Sequence, residues 1–325
     1  MRKFFSQALL SFGLLTVAAT QVHALSKEAE EFPKQPIRIV IGYTAGGSTD
    51  MPFRILAENL SEILKTPVIV ENKPGAGGIL PALQARNGKA DGYTLIQTPA
   101  TIFRLPYINK TDWDPVTGLD YVINLAGYSF GLIVPADSPI KNMQDYIAYA
   151  KQNPNTLTYG TPGAMTSLHI TMEQIAREAG IELVHVPYKG NAESMQAALA
   201  GFVMSVADTP AWAQYVDNGK LRLLSTWGEQ RSKRFPEVPT LIESGINIKQ
   251  LSPFGLAVVK GTDSDIVKKL HDALKLAMEK DNYREALERY DMEPYYMSSS
   301  EYSEFAKKMA EQESAILESI GFSKK

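Results

Sequence analysis

Cysteine is absent from this 325-residue chain, which excludes disulfides, thiol nucleophiles and thiolate-held zinc. Histidine is scarce: His23, His169, His185 and His271 lie in separate segments with no HExxH or comparable spacing, so neither a metal nor another cofactor is expected. Neither sign of charge dominates, since 33 Lys and Arg face 36 Asp and Glu for a formal net charge of −3. A nucleic-acid partner or an anionic membrane surface would call for a basic excess that is missing. Beyond the first 24 residues no run approaches the 18 apolar residues of a membrane span. The P-loop pattern GxxxxGK[S/T] and the dinucleotide fingerprint GxGxxG are also absent.

What is present begins with "MRKFFSQALLSFGLLTVAATQVHA", in which Arg2 and Lys3 precede an apolar stretch from Ala8 to Ala19 and a Val22-His23-Ala24 junction. This is the pattern of a secretory signal peptide over residues 1–24, cut after Ala24, and it places the mature chain in the periplasm. Removal of the leader takes the formal net charge from −3 to −5.

The stretch "IRIVIGYTAGGSTDMPFRILAENL" (37–60) runs from a β-branched strand through Gly46 and Gly47 into a helix whose apolar stripe is Phe53, Leu56, Leu60, Ile63 and Leu64. Thr44, Gly46, Gly47, Ser48, Thr49 and Asp50 form the turn. First-turn amides have no intrahelical partner and carry the positive end of the helix dipole, so the turn reads as an anion pocket. The alternative is that Ser48, Thr49 and Asp50 only cap the helix. Asp50 would repel a multiply charged phosphate; a carboxylate suits the loop better.

Strands and helices then alternate with short turns, predicting an α/β fold of two lobes, each a mixed, mostly parallel sheet flanked by helices. Strands are expected at 37–43, 67–72, 93–99, 130–136, 157–162, 182–188, 202–208, 221–227 and 254–260, with helices at 141–152, 166–179, 191–200, 264–280 and 299–318. The similar segments "FGLIVPADSPI" (130–140) and "FGLAVVKGTDSDI" (254–266) mark the crossings. One lobe is thus expected from residues 25–126 with 249–325, the other from 127–248.

In order along the chain, "QPIRIVIGYTAGGSTD", "VIVENKPGAGGI", "ADGYTL", "LTYGTPGAMTSLH", "VHVPYKGNAESMQAALAG" and "KLRLLSTWGEQRSKRFPEVPTLIESG" resemble the periplasmic solute-binding proteins of tripartite tricarboxylate transporters, the Bug or TctC-like family. The resemblance covers nearly the whole mature chain. It implies a two-lobed binding protein of the type II kind that closes on a small organic acid like a flytrap. It also implies that the acid is di- or tricarboxylate-like and is passed to the membrane components of a tripartite transporter. No enzymatic activity is implied, and a monomer is expected. The family's first carboxylate site falls on Gly46 to Asp50, and its counterpart on the turn from Gly163 to Thr166 and Ser167. Departures are Ala45 where the family usually has Pro, Met165 where it usually has Gly, and Pro52 and Phe53 before Arg54.

Other residues admit two readings. His169 either contacts the ligand or orders its own loop. Tyr188 and Lys189 follow a strand at the cleft edge, where Lys189 either neutralises an acid or makes a surface ion pair. Asp208 and Thr209 end a strand of the second lobe, with Asp208 reading a ligand hydroxyl or capping the next helix. Thr98 and Thr101 end a first-lobe strand where an open α/β sheet presents its crevice. Tyr93 and Trp227 belong to the core, and "PGAGG" (74–78) shapes the cleft wall.

Three other functions compete: a periplasmic sensor, a hydrolase using Ser48 or Ser167, and a structural envelope protein. The hydrolase needs a base and an orienting carboxylate beside its serine. N-terminal sequencing of exported protein is expected to begin at Leu25, whereas an uncut cytosolic product contradicts the leader assignment.

Overall fold

The computed structural model describes residues 26–108 and 113–322, so the expected leader lies outside the described residues. The β-branched run forms strand β1 (Ile37–Ile41), four of whose five residues are buried. It pairs in parallel with β2 (Val68–Asn72) and β3 (Thr94–Gln97). Strand β4 (Leu119–Tyr128) leads to the first crossing, and β5 (Gly131–Pro135), β6 (Thr158–Thr161), β7 (Val184–Pro187), β8 (Ser205–Asp208) and β9 (Leu221–Thr226) follow it. The chain returns through residues 227–251 to β10 (Ser252–Val259) and β11 (Glu293–Met297).

The first sheet has the order β11-β4-β10-β3-β1-β2 and the second β7-β6-β8-β5-β9. Both are mixed: β1–β2, β1–β3, β6–β7 and β6–β8 pair in parallel and the other ladders are antiparallel. In the first, β10 and β11 oppose the other strands; in the second, β5 alone does. Two-lobed architecture follows, because one sheet draws on residues 37–128 and 252–297 and the other on 131–226.

The helices that matter for the site are α1 (Asp50–Leu64), α2 (Met143–Gln152), α3 (Ser167–Ala179), α4 (Asn191–Leu199), α5 (Ser264–Met278), α6 (Asp281–Arg289) and α7 (Ser299–Ser319). Their starts are chemically marked. Asn142 caps α2, Thr166 caps α3, Asp263 caps α5, and Ser298 and Glu301 close a reciprocal capping box on α7.

Strands β4 and β11 and helix α6 are absent from the sequence expectation. Nearly every residue of β4 is buried, so it lacks the in-out alternation that advertises a half-exposed strand. Strand β11 is a short edge strand containing Pro294, and pairing with β4 imposes its extended form.

An aromatic row holds the crossing region. Phe53 stacks on Phe254 at 4.1 Å, Tyr128 meets Phe254 edge-on at 5.3 Å, and Phe130 lies 6.1 Å from Tyr128 and 6.0 Å from Trp227. One apolar core consequently runs through both lobes.

The backbone just after β1 lies against the segment 75–78 that follows β2: a Cβ on Gly42 would stand 2.3 Å from the Gly78 carbonyl oxygen. Both partners are backbone and cannot rotate away. Gly42→Ala is expected to cost about 1–3 kcal/mol by overpacking, read as a lower denaturant midpoint at unchanged slope.

Candidate functional site

The turn between β1 and α1 is tied internally by Asp50. Its carboxylate accepts from the Gly46 amide, Arg54 Nε and Asn72 Nδ2, each at 2.8 Å. Burial pushes its acidity the other way, but these donors outweigh that and hold the carboxyl below its ordinary range. Thr49 occupies the N-cap position of α1 without making a side-chain cap. Its hydroxyl instead pairs with the Tyr128 hydroxyl at 2.6 Å. Ser48 pairs across the seam with Thr209 of the second sheet at 2.6 Å. Gly47 packs there too, and a Cβ on it would lie 3.3 Å from Asn191 Oδ1. Thr44 presents beside Gly190 a buried hydroxyl with no hydrogen-bond partner among the described residues.

On the second lobe, Thr166 caps α3. Its hydroxyl donates to the Gly163 carbonyl at 2.8 Å and accepts from the His169 amide at 3.3 Å. The Ile170 amide takes the Thr166 carbonyl. The amides of Ser167 and Leu168 are the first-turn donors left over. His169 orders its own loop, because its Nδ1 accepts from the Met165 amide at 3.1 Å and its ring stacks on His185 at 4.0 Å. Burial lowers the pKa of both imidazoles, that of His185 to about 3 with His169 beside it.

Asp208 is fully buried at the end of β8 and is surrounded by donors: Asn191 Nδ2, the Ser194 hydroxyl, and the Thr209 amide at 2.7 Å. Burial nevertheless pushes its carboxyl up to about 6. Its role is to aim neighbours: Asn191 Nδ2 is thereby directed to Thr209 Oγ1 at 2.7 Å.

These turns meet in a cavity of ≈ 30 Å³ between the sheets. Thr49 at the start of α1, Thr166 to Leu168 at the start of α3, and Asn191 at the start of α4 all line it. Thr101, from the turn after β3, adds a hydroxyl, and Phe130, Pro99, Pro162 and Leu168 add apolar wall. Tyr43 lies there as well, kept neutral by burial that pushes its phenol up to about 12. Among the described residues no Lys, Arg, Asp, Glu or His lines the cavity. Such a space holds a water-sized group, and a larger guest requires the lobes to part. A wider groove of ≈ 890 Å³ beside residues 228–233 and α7 has no comparable convergence of helix starts.

Of the residues anticipated from sequence, Thr49, Thr101, Thr166 and Ser167 line the cavity. Thr44, Gly47 and Ser48 lie in the seam beside it, while Gly46, Asp50, Gly163, His169 and Asp208 shape the loops. Thr98 turns away to bond Tyr302 at 2.7 Å. Tyr188 packs against the second-lobe core, and Lys189 is exposed with its amide on Glu193. Neither Ser48 nor Ser167 hydrogen-bonds a base: their hydroxyl partners are Thr209 and Arg104.

Sequence reasoning missed Tyr43, Tyr128, Asn191 and Arg104. Asn191 had a signal, since "YKGNAES" repeats the glycine-then-helix pattern. So did Arg104, a single cation inside the apolar "TIFRLPYI", which must find a partner if buried.

A family model described as "Tripartite tricarboxylate transporter family receptor" matches residues 52–322. The chain belongs to this receptor family, that of the Bug proteins. It is 65% identical over 297 residues to the "UPF0065 protein in gbd 5'region" of Cupriavidus necator, covering 91% of each chain. Among solved structures, the periplasmic binding protein BugD superposes with a TM-score of 0.86 at 25% identity, over 90% of this chain and all of that one. R. palustris Rpa4515 with adipate superposes with a TM-score of 0.84 at 27% identity, over 90% and 99%. Family and structural neighbours are substrate-binding proteins, not enzymes. Among the described residues no helix is long and apolar enough to cross a membrane.

Asp208 makes the receptor's stability pH-dependent in a definite direction. Its folded pKa of about 6 lies above the ordinary 3.8, so the folded state takes up the proton first and Asp208's contribution grows as pH falls from 6 towards 4. The His169–His185 pair acts oppositely, because the folded state resists their protonation. Subtraction separates the two. Relative to wild type, Asp208→Asn is expected to lose more stability at about pH 4.5 than at about pH 7. Denaturant titrations at both pH values measure this, and a pH-independent difference contradicts the assignment.

Proposed function

We propose that this protein is a periplasmic solute-binding protein that captures a small organic carboxylate, di- or tricarboxylate-like, and delivers it as a monomer to the membrane components of a tripartite tricarboxylate-type transporter. The observation that carries the reading is the convergence of three helix starts from two lobes on one cavity without ionic side chains. Oriented amides and hydroxyls favour an anion there while costing no buried charge of their own. The adipate in the similar R. palustris protein supports the ligand class, and the family description supports the transporter partner.

Residues 25–126 with 249–325 form one closing unit in this reading and 127–248 the other. The guest is held by Thr49 and Thr101 from the first and by Thr166, Ser167 and the amides of Ser167 and Leu168 from the second. Thr44, Gly46, Gly47, Ser48, Asp50, Thr98, Gly163, His169, Tyr188, Lys189 and Asp208 act on the guest through the loops or the rim. An open form exchanges with a closed one, and the guest binds the closed form better.

Isothermal calorimetry with acetate, malate, adipate and citrate tests the ligand class. At least one acid is expected to bind and to be recovered unchanged. Gly47→Val should weaken that binding more than about tenfold, or about 1.4 kcal/mol, because the added side chain meets Asn191 as the lobes close. The circular dichroism spectrum should not change. Heat from none of the acids, or equal affinity in the variant, counts against the reading.

A further inference from the structure

Arg104 lies outside the cavity lining, yet it is 1% exposed and reaches three elements at once. Its Nε and Nη2 donate to the two carboxylate oxygens of Glu313 on α7, each at 2.7 Å. Its remaining reach goes across the seam: Nη1 donates to the Met165 carbonyl at 2.7 Å and Nη2 to the Ser167 hydroxyl oxygen at 3.1 Å. Met165 stands at φ +61°, a left-handed conformation that a side-chained residue rarely adopts. Two hydrogen bonds hold it there, one from Arg104 to its carbonyl and one from its amide to His169 Nδ1. Only the first comes from the other lobe. Beside it, Leu317 at the end of α7 packs with Tyr107 and with Ile170 of α3, so α7 touches the second lobe directly.

We propose that Arg104, held in place by Glu313, is a positioning residue that completes the second lobe's helix start when the lobes meet. The guanidinium holds the Met165 turn in its left-handed form. It also occupies an acceptor site of the Ser167 hydroxyl, which leaves the O–H free to donate into the cavity. The Thr166 hydroxyl is by contrast spent on Gly163. Because Glu313 neutralises Arg104 in a two-pronged pair, the cation shapes the site without adding net charge to it. The C-terminal helix thereby becomes part of the closing machinery. The assignment rests on the binding reading above only for what the finished helix start is used for.

Hydrogen exchange on the full mature protein, with no acid added, tests it separately from that reading. Arg104→Lys keeps a charge for Glu313 but loses the fork that spans both lobes. The pair Arg104→Met with Glu313→Leu removes both charges together, which buried ion pairs tolerate better than loss of one partner. In either variant the hydrogen-bonded amides of this turn, those of Gly163, Met165 and His169, are expected to exchange at least about tenfold faster, the factor that 1.4 kcal/mol makes. Strands β6 and β8 should keep their wild-type rates. Adding Met165→Gly should recover part of the protection, since glycine takes the left-handed turn unaided. Unchanged exchange at these amides in a folded variant overturns the proposal. So does faster exchange spread evenly over the second lobe, or a Met165→Gly addition that recovers nothing. Failure of every acid in the calorimetric panel leaves this result standing, because no acid enters the measurement.

Discussion

The backbone amides that open α1, α3 and α4 have no intrahelical partner, and the fold buries all three helix starts at one seam. Such donors must be satisfied by a side chain, by water or by a guest. Much of the surrounding architecture answers that constraint. Asp50 spends its carboxylate inside the first turn on Gly46, Arg54 and Asn72. Thr166 caps α3 from its own lobe, and Asp208 arranges Asn191 and Thr209 from behind. The residues that open these helices line a cavity to which, among the described residues, no Asp or Glu contributes.

Closure follows the same economy of contacts. Across the seam Ser48 meets Thr209, Gly47 lies against Asn191, and Arg104 reaches Met165 and Ser167. A neutral hydrogen bond contributes only about 0.5–1.5 kcal/mol net, so in the proposed cycle the hydroxyl pairs of the seam oppose opening only weakly. The buried Thr44 hydroxyl has no hydrogen-bond partner among the described residues and adds nothing to hold the seam. In that proposed cycle a guest that engages both lobes biases the equilibrium towards the closed form. Opposed to this soft seam is the stiff aromatic row from Phe53 to Trp227 at the crossing, which fixes where the lobes are joined.

Several residues that looked like ligand contacts serve the loops instead. His169 was open to two readings, and its Nδ1 bond to the Met165 amide is the loop-ordering one. Asp208 reads neighbouring side chains and not the next helix start. Met165 stands in a left-handed turn, the conformation that explains why glycine suits this position and why a side chain there needs external support.

How much of this was legible beforehand depends on the range of the interaction. The turn at 44–50, the Thr166 cap and the alternation of strands and helices are written locally, because free first-turn amides, glycine-permitted turns and apolar periodicity all arise within a few residues. Strand β4 and its partner β11 were not, since a doubly buried strand has no alternation and an edge strand takes its form from its neighbour. Nor could the chain by itself say which hydroxyls face the cavity. Thr98 and Thr101 are three residues apart, yet one bonds Tyr302 and the other lines the cavity. Arg104 and Glu313, 209 positions apart, pair only because α7 folds back over the turn after β3. The sequence by itself determined where unpaired donors would occur; the tertiary structure decided which acceptor each would meet, because a polar group bonds whatever packing brings within 3 Å or so.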